Sequence, residues 1–458
     1  MEFNRYINCF ILAKIIFFFH FAKINISFTK KYYQSLAIIE VIDKKILTKN
    51  KKIFKKNISL QPKKLPYSFF KSMTNIFNRN PLADSLLSIQ NFTNVQRGYF
   101  FYFRTMCLRM QARFVELIDV NEMPQVFLHG NPHIENFAIV KQGAGMVDFD
   151  RSRLGPYAWD LVRFLCSLSL KRKKKDDNFL SSRVLQYFLE GYKHGLNSNE
   201  KKYKSLADFL NLKKVNWNIT TTEYLKKDDK WAKKLRQNPI DLNDNWLNNL
   251  LKCYLESRNE IHLLENYEIE EAGHALGSLG NQRALLVLKP KNLESKLDKI
   301  LLDLKTVYQD NDNDFFKNPV VHHGERMILA SDLYAPNLEE NMGFFTYQNQ
   351  QYWGRKVPTI AIKIKGYLSE IRQIDVAYCV GMQLGRGHQL SIKNAETKDI
   401  SLHLEQNFET LVKIGKQMND EIMAGHQQYL AQLAQQKNIV TPPKIKEKEN
   451  IAKKKKGK

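Results

Sequence analysis

The stretch LHGNPHIENFAIV, residues 128–140, followed by MVDFDRSRLGPYAWDL, residues 146–161, decides how this chain is read. Residues 125–128 (QVFL) and 137–140 (FAIV) have the length and apolar content of brief strands. Residues 144–149 (AGMVDF) predict a third, with Gly143 and Gly145 marking the turn before it. Polar residues are set among these runs at definite spacings. Asn131 is followed five residues on by Asn136, and Asp148 comes twelve beyond that, on a predicted strand end. Hard oxygen donors of this kind suit magnesium, which takes one or two protein ligands and completes its shell with phosphates and waters. Phosphoryl transfer asks for metal ions, a residue that orients the acceptor hydroxyl and a cradle for the nucleotide. Asn131 stands at the orienting position, and Asn136 and Asp148 at the metal positions. The plainer alternative is that Asn131 and Asn136 satisfy a tight loop while Asp148 or Asp150 caps the next turn. His129 and His133, four apart, would share a metal on a helix, but Pro132 between short strands argues against a helix there.

Working outward, residues 98–118 (GYFFYFRTMCLRMQARFVELI) repeat apolar side chains at three- and four-residue intervals, which predicts a buried amphipathic helix. After Gly155-Pro156 a second helix is expected from near Trp159 through DLVRFLCSLSL. It would end in the basic run 171–175, which suits the negative end of a helix dipole. Residues 180–265 read as polar helices whose apolar faces come from Trp217, Trp231, Trp246 and scattered Leu. A glycine cluster follows at 273–280 (GHALGSLG), then predicted strands at 283–288, 300–307 and 359–365. In the last, Ile360, Ile362 and Ile364 alternate with Lys363 and Lys365. Residues 372–435 return to helical patterning, and no internal repeat is present. The expected class is α+β.

The 458 residues are 43% hydrophobic and 12% aromatic, the composition of a folded chain. A net charge of +24 invites a nucleic-acid reading, but its location weakens it. Residues 1–64 hold 14 Lys or Arg against three acids, and residues 444–458 hold eight Lys against two Glu. These stretches are read as a basic N-terminal extension, 1–64, and a basic C-terminal tail, 436–458. Weak contact with anionic surfaces is open to them, and no specific nucleic-acid partner is expected. Five cysteines, Cys9, Cys107, Cys166, Cys253 and Cys379, show no paired spacing and fit a cytoplasmic location. The apolar run 9–22 is interrupted by Lys14 and is short for a membrane span of about 20 residues. A peripheral membrane-contacting helix and a misassigned start remain alternatives for it.

The segments GYFFYFRTMCLRMQARFVELI, HGNPHIENFAIV and VDFDRSRLGPYAWDLVRFLCSLSL resemble the bacterial domain of unknown function 2252 family, which is itself similar to the aminoglycoside-phosphotransferase branch of the protein-kinase-like fold. The resemblance continues through AGHALGSLGNQR (272–283), LLDLKTV (301–307), VVHHGERMILASDLY (320–334) and GMQLGRGHQLS (381–391), and so covers about residues 66–430. It implies a two-lobed kinase-like domain over 65–435 with its elements in permuted order: a catalytic-loop part at 98–175, a helical insertion at 180–265, a glycine-loop and strand part at 270–370 and a helical part at 372–435.

As cofactors the resemblance implies ATP and Mg2+, and as partners a nucleotide and a small-molecule acceptor. Residue by residue, it implies metal binding by Asn136 and Asp148, phosphate contact by the backbone of Gly277, Ser278 and Gly280, and phosphate pairing by Lys305. For Lys305 a solvated strand lysine is the alternative, and Lys289, Lys363 or Lys365 would serve instead. His129 is carried with Asn131 in the catalytic loop. Asp160 is expected to brace that loop through backbone hydrogen bonds, and His388 is either a core histidine or a catalytic one. The family carries Asp where this chain has Asn131. An amide orients a hydroxyl but has no basic form near neutrality, so the chain is either a slow enzyme or a nucleotide-binding pseudokinase or interaction protein. Asp150, two residues past Asp148 and on the same face if the strand continues, is the substitute base.

Overall fold

The computed structural model describes residues 76–172, 179–198, 215–227, 230–276, 282–292, 294, 296–364 and 366–435, all within the compact unit Thr74–Lys458. The other unit, Met1–Met73, lies outside the described residues, as do the apolar run 9–22 and the C-terminal tail. No described helix is long and apolar enough to cross a membrane.

The architecture is α+β, with helices set against three antiparallel sheets. Helices α1 (Leu86–Phe92), α2 (Gly98–Thr105) and α3 (Cys107–Leu117) lead into strand β1 (Gln125–Leu128). The single helix expected over 98–118 is thus two, broken at Met106. Apolar spacing survives a one-residue break, so periodicity alone does not reveal it. Strands β2 (Phe137–Val140) and β3 (Gly143–Met146) form a hairpin, and β10 (Ile362–Lys363) adds to its β2 edge. β4 (Arg153–Pro156) pairs with β1 and was not expected, because its four residues carry no alternation. Gly155 is required within it, since a Cβ there would meet Leu128 Cδ1 at 2.7 Å and Phe316 Cδ1 at 2.8 Å.

Helix α4 (Ala158–Ser169) follows as expected, and the described residues of 180–265 carry α5 (Ser182–Asn197), α6 (Thr221–Lys226), α7 (Lys230–Gln237), α8 (Asn245–Ser257) and α9 (Leu263–Asn266). The chain then enters a five-stranded sheet of order β5-β6-β7-β9-β8, made of β5 (Tyr267–Leu276), β6 (Gln282–Pro290), β7 (Ile300–Thr306), β8 (Gly343–Tyr347) and β9 (Gln350–Lys356), with α10 (His323–Tyr334) between β7 and β8. The glycine cluster concealed β5, whose Gly273 would carry a Cβ into the Leu235 carbonyl. The expected strand at 359–365 shrinks to the two residues of β10, preceded by a linker. Helices α11 (Glu370–Ser391) and α12 (Thr397–Gln435) account for the helical 372–435 segment.

Why β6 reads as an unbroken apolar run is visible in the packing. Ala284, Leu286 and Leu288 join Leu247, Leu250, Leu251 and Tyr254 of α8 on one face. Leu285 and Val287 join Leu225 of α6 and Ala232 and Leu235 of α7 on the other. A strand covered on both sides needs no polar alternation. The helices α2–α5, α11 and α12 and the small strands share a separate apolar core.

Candidate functional site

The β2–β3 hairpin creates the polar centre. Its register pairs Phe137 with Met146, so the residues flanking the hairpin, Asn136 and Val147, come together, and the Val147 amide donates to the Asn136 carbonyl at 2.9 Å. β3 then stops. Asp148 adopts φ 72°, a left-handed conformation costly for a non-glycine residue. The strand therefore does not continue, and the expectation that Asp150 shares a strand face with Asp148 is corrected. A turn, not a pleat, sets their relation.

Helix α4 holds the loop 129–136 from beneath. Asp160 accepts from the amides of His129 (2.7 Å) and Gly130 (2.9 Å), as the sequence led us to expect of this side chain. Trp159 Nε1 donates to the Gly130 carbonyl at 2.8 Å, and Ser167 Oγ accepts from the Ile134 amide at 3.1 Å. Gly130 sits at φ 83° with its α-carbon against the Arg151 carbonyl, where any Cβ would overlap. His388 is fully buried, with Nδ1 2.8 Å from Tyr192 Oη and Nε2 3.3 Å from Asp160, so it steadies the brace inside the core.

Lys305 arrives from β7, more than 150 residues away in sequence. Its Nζ lies 3.0 Å from each Asp150 carboxylate oxygen and 4.0 Å from Asp148 Oδ1, above the Trp353 ring. Desolvation opposes ionisation of Asp148, but Lys305, Lys363, Arg104 and Arg355 outweigh it and hold the carboxyl well below its ordinary range. Asp150 is raised instead, by desolvation and by the charge of Asp148, against the pull of Lys305. The two carboxylates are thus driven apart in acidity around one lysine. Arg326 of α10, fully buried, ties this turn to β7: its guanidinium donates to the carbonyls of Asp150 (3.0 Å), Tyr308 (3.1 Å) and Ser152.

Asn131 is half-buried at the loop tip, and Arg163 Nε of α4 donates to its Oδ1 at 2.9 Å. Arg163 is fully buried, lies 3.7 Å over the Phe103 ring, and is pushed down to about 10 by burial. Asn136 is buried, and its Nδ2 lies 3.4 Å from the Asn131 carbonyl. His129 is placed differently from the open group a catalytic role needs. It is fully buried, its ring is 4.8 Å from that of Phe149, and burial lowers its pKa. His133 is extended and equally buried, so the two histidines form no helical pair.

The structure therefore brings Asn131, Asn136, Asp148, Asp150 and Lys305 to one place and leaves His129 in the core beneath. Gly277, Ser278 and Gly280 lie outside the described residues. No group of three or more His, Cys, Asp or Glu among the described residues makes a metal cage. The donors here, Asp148, Asp150 and the Asn136 amide, are hard oxygens in small number, which fits a magnesium ion that draws its remaining ligands from phosphates and water. Beside them is a cavity of about 470 Å³ whose lining mixes apolar residues, Val140, Val147 and Leu338 among them, with charged ones such as Lys141, Arg355 and Lys363.

Two features went unread in the sequence. Arg163 interrupts the apolar run DLVRFL, and a lone guanidinium in a helix that is otherwise apolar was the available signal. Glu135, buried beside Asn136, gathers Arg97 (2.7 Å), Lys171 (2.8 Å) and Arg104 (3.5 Å), and despite desolvation those cations, Lys171 foremost, lower its pKa.

The fold and site thus define an α+β protein whose polar centre is a loop braced from a helix and met by a lysine from a separate sheet. Residues 87–238 match the model of the family DUF2252, described as an uncharacterized protein conserved in bacteria. The match is narrower than the resemblance traced over 66–430, and it takes in Asn131, Asn136, Asp148, Asp150 and Arg163 but not Lys305 or Arg326. No curated protein and no solved structure matches the chain.

Proposed function

We propose that this chain is a kinase-like phosphotransferase, its two lobes in permuted order, that binds ATP with Mg2+ and acts on a hydroxyl of a small molecule. One observation carries the reading: Lys305 on the five-stranded sheet meets Asp148 and Asp150, and Asn136 of the braced loop is bonded through its carbonyl to Val147, the residue before Asp148. A lysine facing paired oxygen donors is a phosphate site in waiting, because the cation suits phosphate oxygens while the carboxylates suit their counter-ion. When bound, magnesium would neutralise charge on the phosphates. Asn136 and Asp148 would hold that ion, and Lys305 would exchange its contact with Asp150 for phosphate. The cavity takes the base against its apolar residues Val140, Val147 and Leu338.

Asn131 orients the acceptor without taking its proton. Asp150, the more basic carboxylate of the pair and freed as Lys305 turns to phosphate, receives it. Relative to a positioned Asp at 131, such a site is expected to be about a hundred- to ten-thousand-fold slow. A second reading, a nucleotide-binding pseudokinase, is favoured by the Arg163–Asn131 contact, which occupies the amide oxygen.

Thermal-shift titration of the full chain with ATP, with and without magnesium, tests the proposal. The expected result is stabilisation that needs magnesium and disappears in Asp148→Ala. Turnover of ATP in the natural protein supports the enzyme, and turnover only in Asn131→Asp supports the pseudokinase. Absence of any nucleotide-dependent shift rejects both.

A further inference from the structure

The residues around the loop tip say what kind of second ligand the site receives. Arg163 is a donor-only group, so the atom of the Asn131 amide that faces it at 2.9 Å is the oxygen. The end left for a ligand is therefore Nδ2, a donor, which meets no protein acceptor among the described residues. Arg163 also donates to the Arg104 carbonyl at 3.5 Å, so one buried guanidinium ties Arg104 to the residue it orients. The Arg104 side chain, 23% exposed against 34% for Arg97, makes the longest contact to Glu135, 3.5 Å, while Arg97 and Lys171 take the shorter ones. One carboxylate shared by three cations leaves the group with excess positive charge, and Arg104 is the member best able to turn to a ligand.

We infer that the acceptor is an anionic small molecule, its phosphate or carboxylate oxygens bound by Arg104 and the Asn131 amide. The inference rests on the phosphotransferase reading, which is what makes this ligand an acceptor. It sets the site apart from one built for a polycation, since the free ends presented here, a guanidinium and an amide NH2, repel ammonium groups and pair with oxyanions. Carboxylates do lie nearby, but Asp148 faces Lys305, Glu135 faces its three cations, and Asp150, freed only as Lys305 turns to phosphate, is the base for the acceptor's hydroxyl.

The test uses the full chain saturated with magnesium and a non-hydrolysable ATP analogue, with thermal stability read as glycerol 3-phosphate, glycerate, glycerol or spermidine is added. Further stabilisation by glycerol 3-phosphate or glycerate, and none by glycerol or spermidine, is expected. A response to the first alone identifies phosphate as the recognised group, and a response to the second alone identifies carboxylate. Arg104→Gln should weaken the anion response by about tenfold or more, with Arg104→Lys recovering part of it, while both keep the nucleotide shift that certifies the fold. Stabilisation by spermidine, or no response to either anion, overturns the inference with the phosphotransferase reading intact. An anion response in a chain that shows no nucleotide shift overturns the phosphotransferase reading, and the assignment of the anion as acceptor falls with it.

Discussion

At the scale of single residues, the pairing of Asn131 with Arg163 has a measurable consequence for stability. Among the described residues, this buried guanidinium meets an amide oxygen, the Met110 sulfur, the Phe103 ring and backbone carbonyls, and no carboxylate that would offset its desolvation. Asn131→Asp supplies one with little change in shape, and a charge-assisted hydrogen bond is about twice as strong as a neutral one. The variant is therefore expected to be more stable by about 1 kcal/mol in urea denaturation, even as it alters the chemistry of the loop tip. Asn131→Leu removes the acceptor and is expected to cost about 1–3 kcal/mol. Were Asn131→Asp less stable than the natural protein, Arg163 would not be short of a counter-charge. The spacing of Asn131, Asn136 and Asp148 was legible because one loop and one hairpin contain it. The partner Arg163 was not, since which face of a helix meets a loop is decided by tertiary packing. Nor could spacing reveal that Asp148 leaves the strand at φ 72°.

At the scale of elements, a close approach of two helices sets the position of the brace. Gly191 and Gly195 of α5 lie against the carbonyls of Tyr378 and Met382 of α11, and Gly381 and Gly385 of α11 lie against those of Phe188 and Tyr192. Two glycines four residues apart on each helix let the backbones touch, and the same contact brings Tyr192 to His388 and so to Asp160. Two effects oppose each other in Gly195→Ala. Helix propensity favours alanine by about 1 kcal/mol, whereas forcing apart a packed pair typically costs about 1–3 kcal/mol or more. Because the added Cβ would overlap backbone, which has no rotamer to escape into, the steric term wins. Gly195→Ala should lower the denaturation midpoint, and an unchanged or raised midpoint would show that the helices separate freely. The helices were readable from periodicity, as were β6 and β7. The hairpin β8–β9 and the strand β5 were not, because glycines and polar residues break their patterns, and Lys305 acquires its partners only once that sheet is in place.

At the scale of the whole molecule, burial of neutral imidazoles ties stability to pH. His129 and His133 are almost wholly enclosed, and desolvation lowers both pKa values below the ordinary value of about 6.5. The unfolded chain binds protons at these groups before the folded one does, so stability rises with pH through this range and falls as pH drops below about 6.5. Each such histidine contributes a slope of up to about 1.4 kcal/mol per pH unit until its folded pKa is reached. Glu135 adds to the loss only further down, since its depressed pKa leaves its contribution complete above about 4.3. The raised carboxyl of Asp150 acts in the opposite direction, gaining stability as it protonates. In the window from pH 7 to about 5.5 the histidines are therefore expected to dominate, and the unfolding free energy of the full chain should fall by about 1–3 kcal/mol across it. His133→Phe, which keeps an aromatic ring beside Phe100, should shrink that fall but not abolish it, since burial also lowers the pKa values of His129, His322, His323, His403 and His426. A free energy independent of pH over this window would mean that these imidazoles exchange protons with water in the folded state, and that the floor of the loop is open.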